Sequence, residues 1–244
     1  MCSSDLNAEK WFKPWYGAQE FINQQPRYCL WLGTCPPNEL RKMPHCMKRI
    51  EAVREYRASS TRASTVKLAA TPTRFQTENM PNGTYVVIPE VSSERRRYVP
   101  IGYMDSTVLC SNKLRLMPDA DLYHFGVLTS NVHMAWMRTV CGRLKSDYSY
   151  SVNIVYNNFP WPTPTDAQKA KIEQTAQAIL DARALYPDCS LADLYDEVTM
   201  PPELRKAHQQ NDKAVMEAYG MSVRETTEAT CVAELMRRYQ ELTR

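Results

Sequence analysis

Asn157-Asn158-Phe159-Pro160-Trp161-Pro162-Thr163-Pro164 divides the chain into two regions of different character. Three prolines in five positions remove three backbone donors and fix φ, so the stretch cannot continue a helix and reads as an extended connector. Beyond it the pattern is helical. Residues 165–186 open on a Thr-Asp cap, repeat apolar side chains at Ile172, Ala176, Ile179 and Leu180, and stop at Pro187. Residues 190–198 read as a short helix. Residues 203–219 follow Pro201-Pro202 and end at Gly220, the expected start and stop chemistry. Residues 228–242 align Cys231, Val232, Leu235, Met236, Tyr239 and Leu242 on one stripe. Before the connector, residues 28–32, 84–91, 97–104 and 107–116 are short β-branched, aromatic and aliphatic runs that predict strands. Residues 38–57 predict a helix that Pro44 should kink or restart, and residues 121–140 a long apolar helix. The expectation is an α+β protein: a mixed, small-sheet domain over 1–160, then a small helical bundle over 161–244 packed on it.

Composition narrows the function classes. The 244 residues are 43% hydrophobic and 23% charged, ordinary globular usage with ample chain for a core. No run approaches the roughly 18–20 apolar residues of a membrane span, and the N-terminus does not read as a signal peptide. Eight cysteines at 2, 29, 35, 46, 110, 141, 189 and 231 have no close pairing, which predicts reduced thiols and a cytoplasmic protein. Seven glycines stand against sixteen prolines, and no glycine-rich phosphate loop occurs. Such loops need glycine because backbone must approach phosphate closely, so a self-contained ATP, NAD or S-adenosylmethionine enzyme is not expected.

The net charge of +3 conceals a split. Residues 1–163 carry 20 Lys/Arg against 13 Asp/Glu, and residues 164–244 carry 10 against 14. From Arg41 to Arg74 there are nine basic residues opposed only by Glu51 and Glu55, and Arg95, Arg96 and Arg97 are consecutive. This density suits a polyanion, because each neutralised phosphate releases condensed counterions; a solvated helix face is the alternative.

Catalytic patterns are absent. His45, His124, His133 and His208 sit in no nucleophile or zinc-protease motif, and His124 and His133, which flank an apolar helix, read as core or helix-end residues. Cys35, His45 and Cys46 lack an evident fourth zinc ligand. The acidic cluster Asp193, Asp196 and Glu197 reads as solvated surface. Asn158-Phe159-Pro160-Trp161 superficially mimics the Asn/Asp-Pro-Pro-aromatic signature that holds a flipped base in amino-methyltransferases, but phenylalanine replaces the first proline. No catalytic, cofactor-binding or metal residue is assigned.

Five blocks in order resemble the C-terminal part of the MmeI-like family, in which restriction and modification are fused in one chain. They are Trp15-Tyr16-Gly17-Ala18-Gln19-Glu20-Phe21-Ile22-Asn23, Arg27-Tyr28-Cys29-Leu30-Trp31-Leu32, residues 88–98 (Ile-Pro-Glu-Val-Ser-Ser-Glu-Arg-Arg-Arg-Tyr), residues 123–130 (Tyr-His-Phe-Gly-Val-Leu-Thr-Ser), and the connector. The resemblance covers essentially the whole chain. It implies a target-recognition domain plus a terminal helical segment, a reader of double-stranded DNA whose S-adenosylmethionine-dependent adenine methyltransferase domain, absent here, is its partner in the same parent chain. Alone it would transfer no methyl group. The resemblance also implies that Lys145 and Asp147, in a loop after the long apolar helix, read bases. Their chemistry suits one G·C pair, since lysine donates to guanine O6 and N7 and aspartate accepts from cytosine N4; a surface ion pair is the alternative. Approximate alignment adds Glu90, Asn112 and Lys113 as base readers, with a strand-end turn and a solvated lysine as alternatives. Arg95, Arg96, Arg97, Arg74, Lys67 and Arg143 are candidate phosphate contacts. A protein–protein docking module and a small enzyme with an unrecognised site are the competing functions.

Overall fold

The computed structural model describes residues 8–78 and 80–244; Cys2, counted above among the thiols, lies outside them. The fold is α+β. The chain forms two compact units, and it leaves and re-enters the smaller one.

The smaller unit comprises residues up to Trp15, Pro26–Met80 and Thr107–Leu109. Strand β1 (Phe12–Tyr16) precedes the short helix α1 (Ala18–Asn23) and pairs antiparallel with β2 (Arg27–Leu30), Phe12 opposite Leu30 and Trp15 opposite Arg27. The single helix expected over 38–57 is two, α2 (Pro37–Leu40) and α3 (Pro44–Ala58). Each begins on proline, whose missing N–H goes unused in a first turn, so Pro44 starts a helix instead of kinking one. α3 buries only Cys46 and Ile50, one turn apart, against Leu32, Met43, Trp11, Leu30 and Leu40. The rest of α3 faces solvent. After α4 (Ala63–Lys67), the following loop is tied back by Arg57, which donates to the carbonyls of Leu68, Thr71 and Arg74 at 3.1, 3.0 and 2.8 Å.

The larger unit holds two small antiparallel sheets. β3 (Thr84–Pro89) lies between β5 (Gly102–Asp105) and β7 (Leu114–Pro118), and its run Tyr85–Ile88 is buried on both faces. β4 (Val91–Ser92), β9 (Asp147–Ser149) and β8 (Gly142–Leu144) form the second sheet, β9 central. Three expected strands are thereby corrected. The run 84–91 breaks at Glu90. The run 107–116 becomes β6 (Leu109–Cys110) and β7, separated by a turn at Ser111, Asn112 and Lys113. The run 97–104 pairs only from Gly102, because Pro100 offers no donor and the Val99 N–H goes to Met134 Sδ at 3.4 Å. Tyr98, Val99 and Ile101 contribute burial instead of a ladder.

The helix expected over 121–140 is likewise two, α5 (Leu122–Leu128) and α6 (Asn131–Val140). Ser130 makes the break: its Oγ accepts from His133 N at 3.3 Å and donates to the Val127 carbonyl at 2.7 Å. The freed N–H of Asn131 donates to Asp212 Oδ1 at 2.7 Å, and Tyr98 donates to Asp212 Oδ2 at 2.7 Å. Asp212 lies on α9 (Pro202–Ala218), which packs with α7 (Asp166–Ala184) and α5; the short α8 (Leu191–Leu194) and α10 (Glu228–Leu242) complete the helical part, α10 lying on α6. The Asp193, Asp196 and Glu197 cluster is structural: Asp193 caps α8 with Ser190, Asp196 accepts from Val198 N, and Glu197 pairs with Arg205 at 3.5 Å. His133 and His208 are buried, which lowers their pKa, that of His133 to about 3, and each contacts a tyrosine hydroxyl.

α5 and α7 approach closely at Gly126. A Cβ there would lie 2.7 Å from Ile172 Cγ2 and 3.1 Å from Ala176 Cβ, and the Gly126 carbonyl accepts from Asn211 Nδ2 at 2.7 Å. Gly126→Ala should therefore overpack this contact and cost about 2 kcal/mol. Urea unfolding checks it; a midpoint equal to that of the parent would contradict this packing.

Candidate nucleic-acid interface

The segment after α6 is a hairpin. β8 and β9 are joined by the two-residue turn Lys145-Ser146, with Leu144 opposite Asp147 and Arg143 opposite Tyr148. Residues 142–146 are exposed, and Leu144 is an exposed apolar side chain at the tip. Lys145 has φ +56°, the left-handed region, which costs a non-glycine residue about 1 kcal/mol. Arg143 stacks its guanidinium 4.2 Å from the Tyr148 ring centroid, donates to the Ser146 carbonyl at 2.9 Å and lies 3.7 Å from Glu94. The turn is thus held from inside the hairpin, and Lys145 projects from a braced base.

Glu90 joins the two sheets. Its N–H donates to the Lys113 carbonyl at 2.9 Å, and its carbonyl accepts from Tyr150 N at 2.7 Å, just beyond β9. Its side chain accepts from Lys113 Nζ at 3.0 Å through Oε1 and from Arg115 Nη2 at 2.7 Å through Oε2. Three sequence-predicted segments, around residues 90, 113 and 147, therefore meet through one residue. Asn112 sits exposed in the turn before Lys113.

The arginine triplet lies in a turn instead of a strand: Arg96 N donates to the Ser93 carbonyl at 3.1 Å and Arg95 N to Ser93 Oγ at 3.3 Å. Arg95 and Arg97 are exposed and Arg96 is half-buried. Burial pulls the Arg96 pKa down, and the nearby carboxylates of Asp147 and Asp196 pull it back up. The triplet, Arg138, Tyr148 and the acids Glu94, Glu197 and Glu228 line a polar cleft of about 320 Å³. Arg138 is held within the cleft, by Glu228 at 2.8 Å and the Arg97 carbonyl at 3.1 Å.

Lys67 and Arg74 fall in the smaller unit. Lys67 is exposed in the last turn of α4; Arg74 pairs with Glu78 at 2.8 Å. Residues 1–15, 26–80 and 107–109 hold twelve Lys/Arg against six Asp/Glu, and the remainder eighteen against twenty-one, so net charges of +6 and −3 divide between the units. The smaller unit thus carries most of the positive excess that lies before the proline connector. Exposed Arg41, Lys42, Lys48, Arg49 and Arg62 belong to this unit as well. Sequence reasoning passed over Arg115 and Glu94. Spacing carried a signal for the first, since Lys113 and Arg115 stand two apart in the run 107–116 expected as a strand, where alternation would put them on one face.

Asn158 does not hold a base-binding geometry: its Nδ2 donates to the Asn153 and Ile154 carbonyls at 3.0 and 3.1 Å, while Phe159 is buried edge-on against His133. The connector is pinned by Tyr219, which donates to the Pro160 carbonyl at 2.8 Å. Among the described residues, no three His, Cys, Asp or Glu side chains are grouped to hold a metal, and no helix is long and apolar enough to cross a membrane. The seven described cysteines are free thiols.

The larger unit carries a braced hairpin and an acid–base cluster at a sheet junction, and the smaller unit carries a net charge of +6. The comparisons with known proteins place these features in a family. Residues 1–163 match the family described as MmeI, target recognition domain, and residues 164–244 match MmeI, C-terminal domain; the chain belongs to the MmeI family. It is 39% identical over 233 residues to DNA methyltransferase A of Bacillus subtilis (strain 168), covering 96% of this chain and 26% of that protein. It is also similar to the solved structure of the type IIL restriction-modification enzyme MmeI in complex with DNA, with TM-score 0.93 and 46% identity, covering 97% of this chain and 31% of that one. The chain thus spans about a quarter to a third of the relatives it matches.

Proposed function

We propose that this chain reads sequence on double-stranded DNA as the specificity part of an S-adenosylmethionine-dependent adenine DNA methyltransferase of the restriction-modification type, working in the cytoplasm. The observation that carries the reading is the sheet junction at Glu90, whose carboxylate holds Lys113 and whose carbonyl is bonded by Tyr150, at the end of the strand that leads back to the Lys145–Asp147 hairpin, inside a chain of the MmeI family. Carboxylates and ammonium groups on rigid strands are what base edges in a major groove require. The smaller unit, at +6, supplies most of the sequence-independent attraction through Lys67, Arg74 and their neighbours, and Arg95, Arg97 and Arg143 fix register on the phosphates with Arg96 as their half-buried support. This reading places S-adenosylmethionine outside the chain, whose sequence holds no glycine-rich phosphate loop. Cofactor binding and methyl transfer belong to a catalytic domain of the longer protein, and residues 161–244 brace the reader.

Selection of bound duplexes from a randomised pool tests the reading, and methylome sequencing of cells expressing the full-length protein gives the modified motif. One recurrent motif is expected; a chain that retains duplexes without sequence preference would overturn base reading. Arg95→Gln and Arg97→Gln should each weaken binding to all sequences and reduce the salt slope of log K by about one. A slope equal to that of the parent would remove them from the phosphate contacts.

A further inference from the structure

The Glu90 cluster separates a group that stays from a group that leaves. Lys113 is 56% exposed and reaches Glu90 Oε1 from a turn; Arg115 is 35% exposed, sits on β7, and has an Nε that is buried without an acceptor. Arg115 also borders a recess of about 290 Å³ with Ile88, Met117, Tyr150 and Tyr156, and is the less exposed of the two cations that hold Glu90. Glu90 itself is only 17% exposed and its backbone is bonded on both sides, which leaves the carboxylate orientation to these two cations.

We infer that Arg115 is the positioning residue of the base-reading site: it clamps Glu90 Oε2 so that Oε1, released when Lys113 turns to DNA, faces an amino group on a base edge. The inference rests on the base-reading function proposed above. An exchange of partners follows from the chemistry. In the free protein the carboxylate and the ammonium satisfy each other; on a matching duplex the carboxylate accepts from cytosine N4 and the ammonium donates to guanine O6 and N7. On a mismatched duplex the Glu90–Lys113 pair is the better partner for both and persists. The pair thereby competes with wrong sequences, which adds a repulsive component to specificity.

The test compares three variants of the chain by duplex selection from a randomised pool at low salt, with the salt slope measured alongside. Arg115→Met, which keeps the apolar stem and removes the donors, should lower discrimination about tenfold at a single base pair, the same pair that Glu90→Gln relaxes, with the salt slope unchanged. The double variant Glu90→Arg with Arg115→Glu keeps an ion pair and presents a guanidinium, so the preference at that pair should change to guanine on the strand where cytosine was read. Loss spread over all positions, or a slope reduced by one, would make Arg115 a phosphate contact and overturn the inference. A double variant of parental stability and parental preference would reduce the cluster to a structural ion pair and overturn it too. If Arg115→Met does not fold, the double variant decides. If the parent chain enriches no motif, base reading falls first and the inference with it.

Discussion

Exchanging Lys145→Glu together with Asp147→Arg should change the preferred base at one position of the target by about a hundredfold and leave the other positions as they were. Each side chain of the pair contributes about 1–3 kcal/mol of discrimination when it meets its complementary base edge, and the exchange inverts donor and acceptor at both. The hairpin makes the effect local, because a two-residue turn with Leu144 opposite Asp147 gives the tip one register and one reach. The structure adds a cost. Asp147 lies near the half-buried Arg96, so Asp147→Arg places like charges together, and a loss of stability of about 1 kcal/mol should accompany the change in preference. Methylome sequencing of the exchanged full-length protein reads the preference. An unaltered motif, or a loss shared by every position, would remove the hairpin tip from base reading.

The second large effect is on stability. Asp212 is buried, and desolvation raises its pKa to about 6, opposed by the hydrogen bonds from Tyr98 and Asn131 N–H and by the guanidinium charges of Arg97 and Arg138. The unfolded chain returns it to about 3.9. Between these values the folded state holds a proton that the unfolded state has lost, so this group's contribution is full below pH 4 and disappears as pH rises past 6. The difference is about 3 kcal/mol. Asp212→Asn keeps an acceptor for Asn131 N–H and should flatten that part of the profile. Asp212→Ala leaves Tyr98 O–H and Asn131 N–H without their partner and should cost about 3 kcal/mol at pH 7. Urea unfolding at pH 4.5, 6 and 7.5 checks all three proteins; parallel profiles for parent and Asp212→Asn would place the titration elsewhere.

The legible parts of the fold were those set by local chemistry. Thr165, Ser190, the Pro201-Pro202 start and the 228–242 stripe each announce a helix end or face within a few residues, and the structure places helices there. What sequence missed depends on partners far along the chain. The break at Ser130 has a local signal in that residue's capping hydroxyl, but the acceptor that takes the freed Asn131 N–H, Asp212, lies 81 residues further along the chain. The division into units depends on β1 and β2 closing around an excursion into the other unit, which composition does not mark. For the site, resemblance supplied Lys145, Asp147 and Glu90, while Arg115 became visible only when Glu90 was found 25 residues away and 2.7 Å distant.

The hairpin also limits how such a reader diversifies. Tyr148 is buried between two residues that face outward, and the side-chain period of a strand is two. Adding or deleting one residue in the Lys145-Ser146 turn would shift the edge strand β8 against β9, whose register β4 also holds, and break the stack of Arg143 on Tyr148. Under the function proposed above, new specificities at this tip arise through replacement of side chains at constant length, so that the spelling of the target changes letter by letter while the spacing of its letters stays fixed.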